Sequence, residues 1–452
     1  MCDTQDRVTF DARDEYQRRP IAEKIIRLLK SEVKISPLVI DGHWGAGKTE
    51  FCCKLIHLIE DGEADLQPIY VDAFKADHAD EPLMTLMAAV LNAFPEDKEK
   101  KDLIEKALPV LRFGIKTALK AGTSWLLKQD AADIAEDFTT EIKKAGDEAI
   151  NHAVESLLTD HVAVEKSIVA LQQALQALAE AKPIVIFIDE LDRCRPDFAI
   201  NMLENIKHIF DVEGVQFVLV TNSEQLRSSI NHCYGNGLDA QRYLDKFVKF
   251  SLVLSDTHKP NGYDAVLASV THLKTLISKS KLLKDTGLNQ KNFSDFFISL
   301  ISANQLSLRE VETLILYLEI YQSLTEQEGL ANNVPFGFRV LRILGVFLYG
   351  FKPDLTEKIT LNKINVTDIA NVLGKTEPFR SWDDDDPDPA DVIVAMAGVE
   401  DSSANTNFSF SEEEKQRWRE FLSQRFGVGS PRHTTNLFKI LIEAIEILKL
   451  KG

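Results

Sequence analysis

The sequence is poor in cysteine. Cys2, Cys52, Cys53, Cys194 and Cys233 form an odd, irregularly spaced set of five in 452 residues. That excludes a disulfide-stapled scaffold, supplies no paired metal ligands and points to a reducing, cytoplasmic compartment. Positive charge is short as well: 52 Lys and Arg stand against 70 Asp and Glu, a formal net charge of −18. Broad nucleic-acid binding needs a basic surface and is not expected, although a local basic groove stays open. No uncharged apolar run reaches the roughly 18 residues of a membrane span, so no transmembrane helix is expected. The first residues lack the apolar stretch of a signal peptide. There is no internal repeat. What remains is a chain with the hydrophobic content (44%) and charge (27%) of a soluble globular protein, long enough for about three domains.

Against that background one stretch stands out, Asp41-Gly42-His43-Trp44-Gly45-Ala46-Gly47-Lys48-Thr49. It reads G-x-x-x-x-G-K-T and lies between an apolar run (Pro37 to Ile40) and a helical pattern (Glu50 to Ile59). Gly42, Gly45 and Gly47 let the backbone curl with its N–H groups turned inward, a nest for phosphate oxygens. His43, Trp44, Ala46 and Glu50 complete the stretch expected to surround the phosphates. Lys48 would reach the β- and γ-phosphates, and the Thr49 hydroxyl would ligate Mg²⁺. The following helix turns its positive end to the same anion. The stretch predicts a nucleotide site with Mg²⁺ beside it.

Upstream, Asp11 to Lys34 carries apolar Ile21, Ile25, Leu28 and Leu29 at helical spacing, with Pro20 suited to a first turn. Arg18 and Arg19 either touch the nucleotide or form a solvated helix end. Downstream, strands are expected at Gln67–Phe74, Lys182–Leu191, Val215–Asn222 and Phe247–Leu254, separated by helical patterns such as Phe198 to Phe210. The expected fold is α/β, a doubly wound parallel-sheet P-loop NTPase core with a helical insertion and a mostly helical C-terminal region. The chain divides as 1–75 and 166–255 for the core, 76–165 for the insertion, 256–330 for a helical lid and 331–452 for a helical C-terminal domain. In the insertion, Arg112, Lys116 and Lys120 fall at i, i+4 and i+8 and make one basic stripe. It is either a solvated face or a surface for a membrane or partner. Ser307 and Glu310 have the spacing of a capping box opening a helix at Leu306 to Leu324. The segment Ser381 to Val392, with its aspartate run and prolines, reads as a loop. Two helical patterns, Ser411 to Phe426 and Thr434 to Leu450, end the chain.

Hydrolysis needs more than a phosphate loop. The run Ile184-Val185-Ile186-Phe187-Ile188-Asp189-Glu190 puts Asp189 at a strand tip, where it can hold Mg²⁺ through water. Glu190 beside it can polarise the attacking water as general base. Asn222, ending the next strand, either senses the γ-phosphate or caps a helix. Arg193 and Arg195 either act as an arginine finger or pair with Asp192 and Asp197. Arg309 either swings over the phosphates on a lid or is a surface arginine. At least one of Arg193, Arg195 and Arg242 is expected to act in a neighbouring subunit's site.

Together "GHWGAGKT", "VDAFKADHADEPLMTL", "IVIFIDELDRCRPDFAINMLENIKHIF" and "RYLDKF" resemble the KAP family of P-loop NTPases. The likeness covers about Asp11 to Leu254 well and "LSLREVETLI" more loosely. Its specific parts are the Trp after the first glycine and the D-[DE]-L-D-R-C string. The resemblance implies an additional-strand ATPase fold with strand order 5-1-4-3-2, dependence on ATP and Mg²⁺, and a helical lid. Many members carry transmembrane helices between the two nucleotide motifs, whereas here the insert is only amphipathic. Members commonly have Asp where this chain has Asn222. Bacterial members are often associated with anti-phage or plasmid-conflict functions. The expectation is therefore an ATP hydrolase acting as a switch or assembly module through self-association or a partner protein. The alternative is an ATP-loaded scaffold with negligible turnover that docks a partner or a membrane surface.

Overall fold

The computed structural model describes residues 7–62, 65–79, 81–94, 103, 105–106, 161–235, 237–260, 262–361, 365–379, 388–400, 408, 410–425 and 437–450. The stripe of Arg112, Lys116 and Lys120 lies outside the described residues. So does most of the aspartate-rich segment. The chain forms two compact units, residues 1–255 and 256–452.

The first unit contains α1 (Arg19–Leu29), β1 (Leu38–Asp41), α2 (Lys48–Asp61), β2 (Gln67–Asp72), the short α3 (Ala73–Ala76) and α4 (Pro82–Asn92). It continues with α5 (His161–Ala181), β3 (Ile184–Asp189), α6 (Pro196–His208), β4 (Val215–Thr221), α7 (Ser223–Tyr234), α8 (Ala240–Leu244) and β5 (Phe250–Val253). The strands form one sheet in the order β2-β3-β4-β1-β5, every pair parallel. Read from the other edge this is 5-1-4-3-2, the order the family resemblance implies. Pro20 stands in the first turn of α1, as its fixed φ favours.

Why this sheet is doubly wound can be read from β3, whose six residues are all buried. Successive side chains point to opposite faces. Ile184, Ile186 and Ile188 join Phe217 and Leu219 of β4 in a core with α4, α5 and α6. Val185 and Phe187 join Val218 and Val220 in a second core with α1 and α2. A strand buried on both faces reads as an unbroken apolar run, which is why the expected strand carried no alternation. Gly214, entering β4 at φ +82°, has no room for a side chain, since an added Cβ would come within 2.8 Å of Ala179 Cβ.

The second unit opens with a two-strand antiparallel pair, β6 (Thr257–His258) and β7 (Val266–Leu267). From Thr257 onward the expectation is a mostly helical chain, and this pair is the exception. The strands are too short to show alternation, and only the Pro-Asn-Gly sequence between them is a hairpin signal. Nine helices follow among the described residues: α9 (Ala268–Lys279), α10 (Lys291–Asn304), α11 (Leu308–Leu324), α12 (Phe336–Phe351), α13 (Pro353–Thr360), α14 (Val366–Leu373), α15 (Pro389–Glu400), α16 (Glu412–Arg425) and α17 (Leu437–Leu448). The capping box of Ser307 and Glu310 is present and opens α11. The helix α15 begins at Pro389, inside the segment read as a loop, because Asp388 accepts the Asp391 N–H and starts it. One hydrophobic core runs from Val270 to Leu448. In it Gly345 of α12 lets α17 approach closely, an added Cβ lying 3.1 Å from the Leu441 carbonyl oxygen.

Candidate nucleotide site

The site is built at the carboxyl ends of the strands. The loop between β1 and α2 turns through Gly45 and Gly47, both at φ +79°, a conformation that L side chains resist. Asp41 starts it, its Oδ1 accepting the N–H of Gly42 (2.8 Å) and of Ser223 (2.9 Å). Lys48, the first residue of α2, is buried. Its ammonium donates to the carbonyls of Gly42 (2.7 Å) and His43 (3.1 Å), which closes the loop into a ring. Burial lowers the Lys48 pKa, against the pull of Asp192, Asp189 and Asp41 nearby.

Next to it stands the acid that ends β3. Asp189 is 1% exposed. Tyr70 Oη donates to Oδ2 at 3.2 Å and the Glu190 N–H donates to Oδ1 at 2.8 Å, and the Thr49 hydroxyl lies near enough to favour the ionised acid. Burial nonetheless raises the Asp189 pKa to about 6, the hydrogen bonds holding it back only in part. Thr49 and Asp189 thus present hard oxygens at one point beside a buried ammonium. A two-oxygen protein donor set fits Mg²⁺, which keeps several waters and takes phosphate oxygens for the rest.

Glu190 lies just past the strand, in the left-handed region at φ 59° and ψ 27°. The strand expected to run to Leu191 therefore ends at Asp189, and Glu190 stands in a backbone turn. Its Oε1 pairs with Arg193 Nη2 at 3.1 Å. Arg195 turns to Asp77. Its Nε reaches Asp77 Oδ1 at 3.1 Å and its Nη2 the Asp77 carbonyl at 2.9 Å. Arg242 is exposed and meets Asp239 at 3.3 Å. Asn222 caps α7, its side-chain oxygen accepting from the N–H of Glu224 (3.1 Å) and Gln225 (3.4 Å). Arg309 lies in the first turn of α11, in the second unit. Glu50 faces the N-terminal segment. Burial opposes its ionisation, but hydrogen bonds from Lys54 and Arg13 hold its carboxyl below the ordinary value.

Two participants, Tyr70 and Asp192, escaped the sequence reading, and a third was left between two roles. Arg18, there an alternative between ligand contact and solvated end, is buried. It holds the loop from behind, donating to the carbonyls of Ala46 (3.0 Å) and Ser255 (3.0 Å), with its guanidinium 5.1 Å from the Tyr16 ring centroid. Arg19, by contrast, pairs at the surface with Asp11 and Glu23. Tyr70 and Asp192 were not singled out. Asp192 Oδ2 accepts from the Trp44 indole at 2.6 Å and Oδ1 from the Thr221 hydroxyl at 3.0 Å. The signal that could have found Asp192 is a third acid two positions past the pair Asp189-Glu190, in the D-E-L-D-R-C string.

The model of the KAP family P-loop domain matches residues 18–325. No curated protein matches the chain. Among solved structures the ORC2 protein of Aeropyrum pernix, in ADPNP-ADP complexes, is similar over 96% of this chain and 95% of that one, at 13% identity and a TM-score of 0.36. A likeness of that degree says nothing about chemistry or partners. No helix among the described residues is long and apolar enough to cross a membrane. With the family model spanning both the phosphate loop and the acidic strand tip, the chain belongs to the KAP family of P-loop domain proteins.

Proposed function

We propose that the protein is a Mg²⁺-dependent ATP hydrolase whose nucleotide state switches its assembly or its hold on a partner. The observation that carries this reading is the meeting of Thr49 and Asp189 beside the buried Lys48 ammonium. Bound Mg²⁺ would neutralise charge on the β- and γ-phosphates, and Thr49 and Asp189 are the residues that would hold it. Lys48, now spanning Gly42 and His43, would exchange those carbonyls for phosphate oxygens. Glu190 would orient and deprotonate the attacking water once its carboxylate leaves Arg193. The test is Lys48→Ala. It should weaken ATP binding and abolish phosphate release, and an unchanged affinity by calorimetry would refute the site.

A second reading, an ATP-loaded scaffold with negligible turnover, is favoured by one observation. The Glu190 carboxylate is engaged by Arg193 at 3.1 Å, and while so engaged it is not free to orient a water. Single-turnover phosphate release separates the two readings. The family association suggests a setting for the switch, defence against phage or plasmids. Loss of protection with Lys48→Ala in a plaque assay would support that setting, and full protection would count against a nucleotide-driven role.

A further inference from the structure

The phosphate loop is tied to the tip of β4 twice, each time through a carboxylate. Asp41 collects the N–H groups of Gly42 and Ser223. Asp192 collects the Trp44 indole N–H at 2.6 Å and the Thr221 hydroxyl at 3.0 Å. Thr221 is opposite Asp41 in the β1–β4 register, so both ties meet at one strand tip. Asp192 is 6% exposed, and its sequence neighbour Arg193 turns to Glu190 instead. A buried carboxylate served by neutral donors is costly, and it fixes those donors firmly because each shares a charge-assisted bond. Trp44 itself is 50% exposed, so packing alone does not hold the ring. Among nearby charges Asp192 also exerts the largest pull on Lys48.

We propose that Asp192 is a positioning residue, joining Trp44 of the phosphate loop to Thr221 at the tip of β4 so that both answer to the γ-phosphate as one piece. Trp44 occupies the third position of G-x-x-x-x-G-K-T, on the part of the loop that precedes Lys48. Asn222 follows Thr221 directly and caps α7. A nucleotide-dependent shift of the loop is thereby passed through Asp192 to the start of α7. The inference rests on the nucleotide-site reading above.

Its test uses the full chain. Asp192→Asn keeps the shape and removes the charge, whereas Trp44→Phe keeps a ring and deletes the N–H. Each should lower kcat at least tenfold while KM stays within about threefold, since binding and positioning are separable. Because both changes break one bond, the double variant should be no slower than the slower single variant. Thr221→Val should reproduce part of the loss. Trp44 emission, taken as the difference between wild type and Trp44→Phe, should change on adding ATP with Mg²⁺, and Asp192→Asn should abolish that change at unaltered melting temperature. Wild-type kcat and KM in Asp192→Asn, or multiplicative losses in the double variant, would overturn the inference. If the wild type binds ATP without turnover, the hydrolysis reading fails on its own, and the emission experiment still decides. An emission response that is absent in wild type, or identical in Asp192→Asn, overturns the positioning role.

Discussion

Replacing Asp189 with Asn should stabilise the nucleotide-free protein, and by more at neutral than at acidic pH. The residue is 1% exposed and its pKa is raised from 3.8 to about 6 by burial. The usual carboxylate in a fold has a depressed pKa and stabilises above it. Here the direction is reversed. Between 3.8 and about 6 the folded chain holds a proton that the unfolded chain has released, so stability falls as pH rises across that window. The cost at neutral pH is the shift multiplied by about 1.4 kcal/mol per pH unit, roughly 3 kcal/mol. An amide mimics the protonated acid at all pH. Linkage then gives Asp189→Asn a gain of about 1.6 kcal/mol at pH 5 and about 3 kcal/mol at pH 7.5. The bonds at the site survive: Oδ1 still accepts from Glu190, and Tyr70 can accept from the new N–H₂ group. For a unit of this size about 1 kcal/mol moves the melting temperature by about 2–4 °C. Thermal melts in EDTA without nucleotide should show a rise of roughly 6–12 °C at pH 7.5 and about half that at pH 5. The same variant should not hydrolyse ATP. An equal shift at both pH values, or a loss of stability at pH 7.5, would refute burial as the cause.

Glu190→Gln should bind ATP as well as wild type and retain it, because an amide is a far poorer base; hydrolysis at the wild-type rate in a phosphate-release assay would remove Glu190 from the mechanism. Arg195→Ala should cost about 1–2 kcal/mol in urea unfolding, since it strips buried Asp77 of its guanidinium, yet leave kcat near wild type. A tenfold fall in kcat at unchanged stability would instead mark Arg195 as a finger. If an arginine acts in trans, specific activity should rise with protein concentration, and mixing its Ala variant with Lys48→Ala should restore some activity. A rate per subunit constant over a wide dilution series would refute that arrangement.

The parts of the site legible in the sequence are those whose meaning is local. The glycines, Lys48 and Thr49 sit within eight positions, and the apolar run ending in Asp189 declares a strand buried on both faces. The Ser307–Glu310 cap is likewise a short-range bond. What was hidden depends on partners far along the chain. Trp44 meets Asp192 across 148 positions, Tyr70 meets Asp189 across 119, and Arg195 meets Asp77 across 118. No spacing rule reaches so far, so the sequence offered Arg193 and Arg195 only the nearby acids Asp192 and Asp197 as partners. Glu190 was placed on the strand because its left-handed backbone has no residue-type signature; glutamate is not a residue expected there. The Asn222 alternatives were both chemically open, and the cap is the one with visible bonds.

Arg18 is also a mechanical link. One guanidinium grips the Ala46 carbonyl inside the phosphate loop and the Ser255 carbonyl where the first unit ends. The next residue, Asp256, begins the second unit. The covalent exit from the sheet is thus leashed to the loop by a rigid planar fork of fixed span. If ATP moved the Ala46 carbonyl, the leash would either drag the exit with it or let go. The last residue of the first unit is thus held by the same guanidinium that holds the phosphate loop.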